Sequence, residues 1–480
     1  MKTILKIVVV VVLFLRFIVS APAIPTVTQI SAGDGFVLFL KSDGSLWTAG
    51  YNVDGQTGNP DTYSNEFPYY FTNPIQVVSN GVTAIAAGGN FSLFLKSDGS
   101  LWGMGSDLYG QLGLTPILSN TNVPEKIIGS NVVAISAGEN HTIYRSYTVT
   151  GSLGNQTITM LVEGMGNDTY GQLGNYATKS GDNYPSPVTI EFESTKFFPS
   201  VTPVCAGSSS SFFIETDGTL WAMGDNQAGE LGDGTTNTPP GIKQVPGAAN
   251  VTAVASEAGH TMFVESDGSL WTMGIDTLGE GGEGTTNVTY YPTPQKIIGS
   301  NVVGVSTGLY HSLFLKSDGT LWGMGLNSFG ELSPNNLNDY YPSPRQVASN
   351  VVNFAAGAGV TYYTKTDGST WAVGLDNVAQ LGDGFSGDTS SNAVQIFPYL
   401  PPVFTKIALT SPTNLQLTAT CPVGGSYFLL WTTNINQPLS TWDTGLGELV
   451  ASRGPNNFNY GIDPRLTFFT PPRYFALKKQ

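Results

Sequence analysis

The chain's only imidazoles are His141, His260 and His311. Imidazole is the usual proton shuttle and a common zinc ligand. All three, however, fall in one column of a repeating pattern, whose other occupants are Phe36, Phe91, Ser210 and Val360. A position that takes Phe and His alike predicts a half-buried packing site rather than a ligand set. A second set of chemical residues is also periodic: Asn52, Asp107, Asp168, Asn226, Asp276, Asn327 and Asp376. Seven Asx in a ring could hold a metal. Free exchange of Asn and Asp points instead to turns, with each side chain bonding a backbone NH two residues on. Four positions after each Asx stands Gln or Glu: Gln56, Gln111, Gln172, Glu230, Glu280, Glu331 and Gln380. That exchange argues against paired-carboxylate catalysis. Cys205 shares a column with Ser31, Ser136 and Ser306 and reads as a small buried thiol. A bridge from it to Cys421 would need the C-terminal region to dock beside the fourth repeat. No catalytic residue, metal or cofactor is expected, and Gly-x-Gly fragments read as repeat turns.

The elements that position these residues follow from the repeat itself. Leu46-Trp47-Thr48-Ala49-Gly50 returns around Trp102, Trp221, Trp271, Trp322 and Trp371, and a seventh copy around Gly164 lacks the Trp. Each copy reads as four short strands. Six of the seven carry an Asp-Gly hairpin, at Asp43, Asp98, Asp217, Asp267, Asp318 and Asp367, expected as a type I′ turn. The third unit replaces that turn with a longer excursion over 147–157. A four-stranded sheet buries little alone, so seven stacked around an axis form a closed β-propeller. The repeated Trp suits the space between blades, where burying roughly 150–250 Å² each yields about 4–6 kcal/mol before ordering costs.

The pattern Ala-Gly-x-x-His…Asp-Gly-x-Leu-Trp-x-Met-Gly-x-Asx-x-x-Gly-Gln-Leu-Gly resembles the regulator of chromosome condensation repeat. The resemblance covers all seven units and implies a seven-bladed propeller. The family's founding nuclear member is a guanine nucleotide exchange factor that sits on chromatin. Secreted bacterial propellers of the same repeat include a β-lactamase inhibitory protein that binds with loops on one face. This chain departs from the nuclear member in its charge and its N-terminus.

Residues 1–23 read as a secretory signal, with basic Lys2 and Lys6, an apolar run over 7–15 and Ala21-Pro22-Ala23 for cleavage. Cleavage takes the net charge from −15 to −18, since Lys2, Lys6 and Arg16 leave and no acidic residue does. Nucleic acid is then not an expected partner, because phosphate neutralisation needs Lys and Arg. No membrane span is expected after cleavage. The 58 Gly and 29 Pro exclude long helices, and two Cys exclude a disulfide scaffold.

The expected organisation is therefore all-β: a signal at 1–23, a seven-bladed β-propeller at 24–404, and a small β-sandwich-like C-terminal module at 405–480. That last region resembles a C-terminal β module of secreted bacterial proteins, through Thr433-Asn434-Ile435…Pro438-Leu439-Ser440-Thr441-Trp442 and Arg473-Tyr474-Phe475-Ala476-Leu477.

A surface site is expected in the loops before the fourth strands. Tyr69, Tyr70, Tyr184, Tyr290, Tyr291, Tyr340 and Tyr341 would form an aromatic rim there, since Tyr gives much contact area at low entropic cost. Insertions at 61–71 and 147–157 are further candidates for specificity. The functional expectation is a secreted, monomeric, non-enzymatic scaffold whose partner is an extracellular protein or glycan, with enzyme inhibition as one form. The alternatives are nucleotide exchange or chromatin association, and a propeller lyase or hydrolase with catalytic residues around the channel.

Overall fold

The computed structural model describes residues 25–59, 69–114, 120–152, 155–174, 183–190, 203–285, 290–332, 339–387 and 389–397, together with six backbone strands between 403 and 479. The signal region, the 61–68 part of the first insertion and Cys421 lie outside the described residues.

Seven antiparallel four-stranded sheets follow one another along the chain, at 27–78, 82–128, 132–189, 204–244, 251–298, 302–348 and 351–397. We call them blades 1 to 7. In each the strands run in sequence order from the channel outward. Every blade is built from one continuous stretch, so no strand is exchanged to close the ring. Closure comes from packing and hydrogen bonds between blades 7 and 1. Gly384 N donates to Thr72 O (2.6 Å), Ser386 Oγ donates to the Tyr70 hydroxyl (2.9 Å), and Phe39 packs against both Tyr362 and Phe397.

The core is correspondingly divided, with one apolar cluster at each of the seven blade interfaces. Trp47, Trp102, Trp221, Trp271, Trp322 and Trp371 each pack against one of six of these, as the repeat predicts. Each indole is tied to its own hairpin. Trp102 Nε1 donates to Ser100 Oγ (2.8 Å), which donates to Asp98 Oδ1 (2.5 Å), while Lys96 Nζ lies 3.9 Å from the ring centroid. The blade 2–3 interface lacks the Trp, because Glu163 occupies its register position opposite Tyr144, and the buried Tyr144 fills that cluster.

The hairpins differ from the expected type I′ turn. Only the Gly has positive φ (Gly44 at 77°), Gly44 N donates to Lys41 O, and Lys41 N donates to Ser45 O. This is a three-residue loop, a type I turn closed by a left-handed Gly. The Asp prefers this form because its side chain accepts from the backbone NH and hydroxyl of the residue after Gly, as Asp43 does from Ser45. The hairpin also joins blades: Gly44 O, Gly99 O, Gly268 O and Gly319 O each accept from the first Val NH of the next blade.

On the other face the Ala-Gly turns close the channel. A Cβ at Gly88 would lie 2.2 Å from Phe91 and 2.5 Å from Gly138 O of the next blade. The aromatic or imidazole ring of the second strand therefore folds over this Gly. In the third unit the excursion is an extended hairpin, with strands His141–Ser152 and Asn155–Asn167. Beyond the propeller, Val403–Ser411, Asn414–Thr420 and Asn457–Gly461 form one three-stranded sheet, and Glu448–Val450, Ser426–Thr432 and Tyr474–Lys479 another.

Candidate functional site

The face built by the Asx loops carries exposed apolar side chains and both cavities. Each loop is fixed by two side-chain acceptors. The Asx oxygen accepts from the NH five residues on, not two: Leu112 N to Asp107 Oδ1 (2.7 Å), Leu332 N to Asn327 Oδ1 (2.8 Å), and likewise in the other five blades. The short local bond belongs to the Gln/Glu, which accepts from the NH two residues earlier, as Gln111 does from Tyr109 (2.9 Å) and Glu331 from Phe329 (2.9 Å). Both bonds need only an acceptor oxygen. That is why Asn exchanges with Asp and Gln with Glu. All seven Asx are buried, and burial raises the carboxyl of Asp107 and pushes Asp276 up to about 6, where Glu280 and Glu283 add repulsion.

With the Asx and Gln/Glu side chains turned inward, residues just after the Asx turn outward in blades 1 to 3. Val53, Leu108, Tyr109 and Tyr170 are exposed there, Leu108 at 48%. Tyr310 (48% exposed), between the first two strands of blade 6, and Phe385 join them on this face. These apolar tips are absent from the sequence-based rim. The signal that could have found them is the alternation within the loop: the positions that stay Asx or Gln/Glu in all seven repeats are inward acceptors, and the positions that differ from repeat to repeat are the ones free to point out.

The tyrosine rim is only partly assembled. Tyr69 immediately precedes the outer strand of blade 1, and the other six lie within outer strands rather than in loops. Tyr290 (49% exposed) and Tyr340 are exposed, whereas Tyr69, Tyr70, Tyr184 and Tyr291 are half-buried. Tyr341 is 2% exposed, sits in the blade 6–7 core and stacks under Arg345 at 4.4 Å. Its side chain is a packing residue. Neighbouring strand residues point to opposite sides, so Tyr340 and Tyr341 cannot both face a partner. The adjacent prolines serve the ring itself: Pro185, Pro292 and Pro342 each pack against the Asx-loop Gly of the preceding blade. The outer strand is an edge, where Pro costs no ladder bond and blocks further pairing.

The histidines are interface staples. His141 Nε2 meets Ser211 Oγ at 2.8 Å, His260 Nε2 meets Ser312 Oγ at 3.0 Å, and His311 Nε2 meets Thr361 Oγ1 at 3.4 Å, each across a blade boundary. Burial lowers all three, His141 to about 4 and His311 to about 3, so they stay neutral. Cys205 is a free thiol, pushed up to about 12 by burial. Among the described residues no group of three His, Cys, Asp or Glu is arranged to hold a metal.

Two connected cavities open on the Asx-loop face. The small one, about 30 Å³, is the channel mouth, ringed by the Ala-Gly turns. Blade 5 departs from the others there. Six blades place Gly at one position of this ring (Gly33, Gly88, Gly138, Gly207, Gly308 and Gly357), and blade 5 places Glu257. Ser208 donates to Glu257, and burial, with Asp34 and Glu139 nearby, pushes its carboxyl up to about 7. Burial and Glu139 also raise Asp34. The second cavity, about 550 Å³, extends over blades 6, 7 and 1 to Asn90 of blade 2, and shares Asp34, Leu309 and Ala358 with the first. Its volume is that of an ordinary ligand pocket, and Tyr51, Tyr310, Phe329 and Leu375 give it a largely apolar wall. Reading the columns for their odd member would have found Glu257. Nothing local marks the larger cavity, which four blades assemble.

The regulator of chromosome condensation (RCC1) repeat matches residues 43–95, 98–144, 164–214 and 217–264, and a second model of the repeat matches 27–56, 82–111 and 302–331. Similar proteins include the ultraviolet-B receptor UVR8 of Arabidopsis thaliana, 29% identical over 214 residues (43% of each chain). Another is the secretion-regulating guanine nucleotide exchange factor of Bos taurus, 28% identical over 210 residues (43% of this chain, 42% of the relative). The E3 ubiquitin-protein ligase HERC2 of Homo sapiens is 26% identical over 317 residues, 65% of this chain but 6% of its own length. The matches thus span under half of these relatives. Human WBSCR16 and Prp20p of Saccharomyces cerevisiae share the fold, each with TM-score 0.63 and 18% identity; they cover 76% and 77% of this chain, and are themselves covered to 96% and 90%. The chain belongs to the RCC1 repeat family.

Proposed function

We propose that this protein is a secreted, non-enzymatic binding scaffold that engages an extracellular protein with the Asx-loop face of its propeller. The observation that carries the reading is the set of outward apolar tips Leu108, Tyr109 and Tyr170 on loops held rigid by buried acceptors, with exposed Tyr310 on the same face. Aromatic anchors on a preorganised surface are what a protein interface needs, because little ordering entropy opposes binding. Secretion rests on the basic and apolar pattern of residues 1–23. Relatives named as a receptor and as an exchange factor, and Prp20p, which binds Gsp1p and histones, are in keeping with a propeller that works by contact. The net charge of −15 favours a partner with cationic groups.

The test is capture from the native extracellular fluid with the immobilised full chain and two variants. The triple variant Leu108→Ser, Tyr109→Ser, Tyr170→Ser strips the Asx-loop face. Ser97→Lys with Ser317→Lys alters the opposite, hairpin face. The expected result is a partner retained by the wild type and the hairpin variant and lost by the triple variant. Equal retention by the triple variant refutes the proposed face.

A further inference from the structure

We propose that the cavity over blades 6, 7, 1 and 2 is an arginine-binding pocket, and that the partner inserts a guanidinium side chain from an exposed segment into it. The proposal rests on the reading that this face binds a protein, and adds the chemistry of the inserted group.

The argument starts from Glu331. It is 0% exposed to solvent and lines the 550 Å³ cavity. Its Oε2 accepts from Phe329 N, and its Oε1 has no hydrogen-bond partner. Four of the six equivalent residues have a partner for their second atom as well. In three of the four blades where the slot holds Gln, the second atom is an amide that donates to a neighbouring Asn: Gln56 to Asn90 Oδ1 (3.4 Å), Gln172 to Asn167 Oδ1 (3.1 Å), Gln380 to Asn377 Oδ1 (2.9 Å). Glu280 engages both oxygens, with Thr277 and Leu278. Glu331 alone among the seven combines a buried acceptor that has no donor with a side chain that lines this cavity, and a small rotation of the carboxyl would turn that oxygen to a ligand there. A buried carboxylate oxygen without a donor is costly, and a ligand that supplies the donor recovers that cost.

The surroundings select the donor. Asp34 lines the same cavity, as do Asn90 and Asn377, whose Oδ1 atoms are acceptors, and no Lys or Arg is among the described lining residues. Tyr51, Tyr310 and Phe329 supply ring faces, and Leu375 and Val378 aliphatic contact. Multiple acceptors among aromatic and aliphatic walls match a planar group with five N–H donors on a three-carbon stem, which is arginine. Lysine offers one point charge and stacks less well. The channel mouth beside it, with Glu139 and Glu257, extends the negative field toward a second basic residue of the same segment.

The experiment uses the full chain and the isosteric probes N-acetyl-arginine amide and N-acetyl-citrulline amide, titrated by NMR at pH 7.5 in low salt. The arginine probe is expected to bind at least tenfold more tightly than the citrulline probe. Glu331→Gln, which places in blade 6 the residue that four other blades already use, abolishes the difference. Glu230→Gln, in the same slot of blade 4 but outside the cavity, leaves it intact. The same variants are then compared for the captured partner, with a tenfold loss expected for Glu331→Gln alone. Equal binding of the two probes, or arginine binding that survives Glu331→Gln, overturns the proposal. Partner capture unaffected by Glu331→Gln but lost in the triple surface variant overturns the arginine pocket and leaves the binding face standing.

Discussion

Replacing Glu331 by Gln makes the propeller more stable at pH 8 and leaves it unchanged near pH 4.5. Glu331 is fully buried, and burial pushes its carboxyl from 4.5 up to about 7. A group raised in the folded state keeps its full contribution below its ordinary value, where it is protonated in both states. That contribution falls as pH rises through 4.5 to 7, because the unfolded chain ionises first. A displacement of this size corresponds to about 3 kcal/mol at pH 8, and relaxation around the charge reduces the effect to about 1–3 kcal/mol. Gln cannot ionise and still offers the oxygen that Phe329 N needs, as Gln111 does for Tyr109 N. Urea denaturation of the full chain at pH 4.5 and pH 8, followed by Trp fluorescence from the blade interfaces, reads the difference. Comparing variant with wild type at each pH cancels the titration of every other group. A variant no more stable than wild type at pH 8, or equally stabilised at both pH values, refutes the assignment of an ionisable, unpaired carboxyl at this position. Stabilisation together with lost arginine binding would mark Glu331 as a residue kept for function at a cost in stability.

The other expectations concern the scaffold. Glu230, also pushed up to about 7 by burial, behaves alike, and Glu230→Gln raises the urea midpoint at pH 8 with no effect on capture. The histidines titrate in the opposite sense: burial holds His141 down to about 4, so its contribution is present above 6.5 and is lost as pH falls toward 4. His141→Phe, copying Phe36 and Phe91, flattens the loss of stability between pH 6.5 and 4.5 in the same assay. Gly88→Ala forces a Cβ to 2.2 Å from Phe91 and 2.5 Å from a backbone oxygen, so it costs about 3 kcal/mol or more and lowers the soluble yield. Trp322→Phe keeps the stack on Phe314 but loses the bond to Thr320, at a cost of about 1 kcal/mol in urea.

The architecture was legible because it is periodic. Trp47 and its equivalents recur with the Asp-Gly hairpins, and a sheet with so regular a buried edge has to stack. The histidines were legible for the same reason, since Phe in their column announced packing. What escaped the sequence depends on contacts between units. The Asx bond reaches five residues rather than two because the loop folds back around a buried Leu, as at Leu112 and Leu332. The hairpin avoids type I′ because Asp43 caps Ser45 with its side chain. The tyrosine rim was overread: strand alternation turns Tyr341 inward while Tyr340 faces out, and a linear motif hides that. Glu257 was visible as the odd member of a Gly column, whereas the larger cavity exists only where blades 6, 7, 1 and 2 come together.

Hydrogen exchange on the complex with the captured partner tests the central claim most directly. The account predicts protection at 107–110, 168–171, 309–310 and 327–330, all on the Asx-loop face, with the hairpins at 41–45 and 96–100 unchanged. Protection confined to those hairpins or to 405–480 would contradict it.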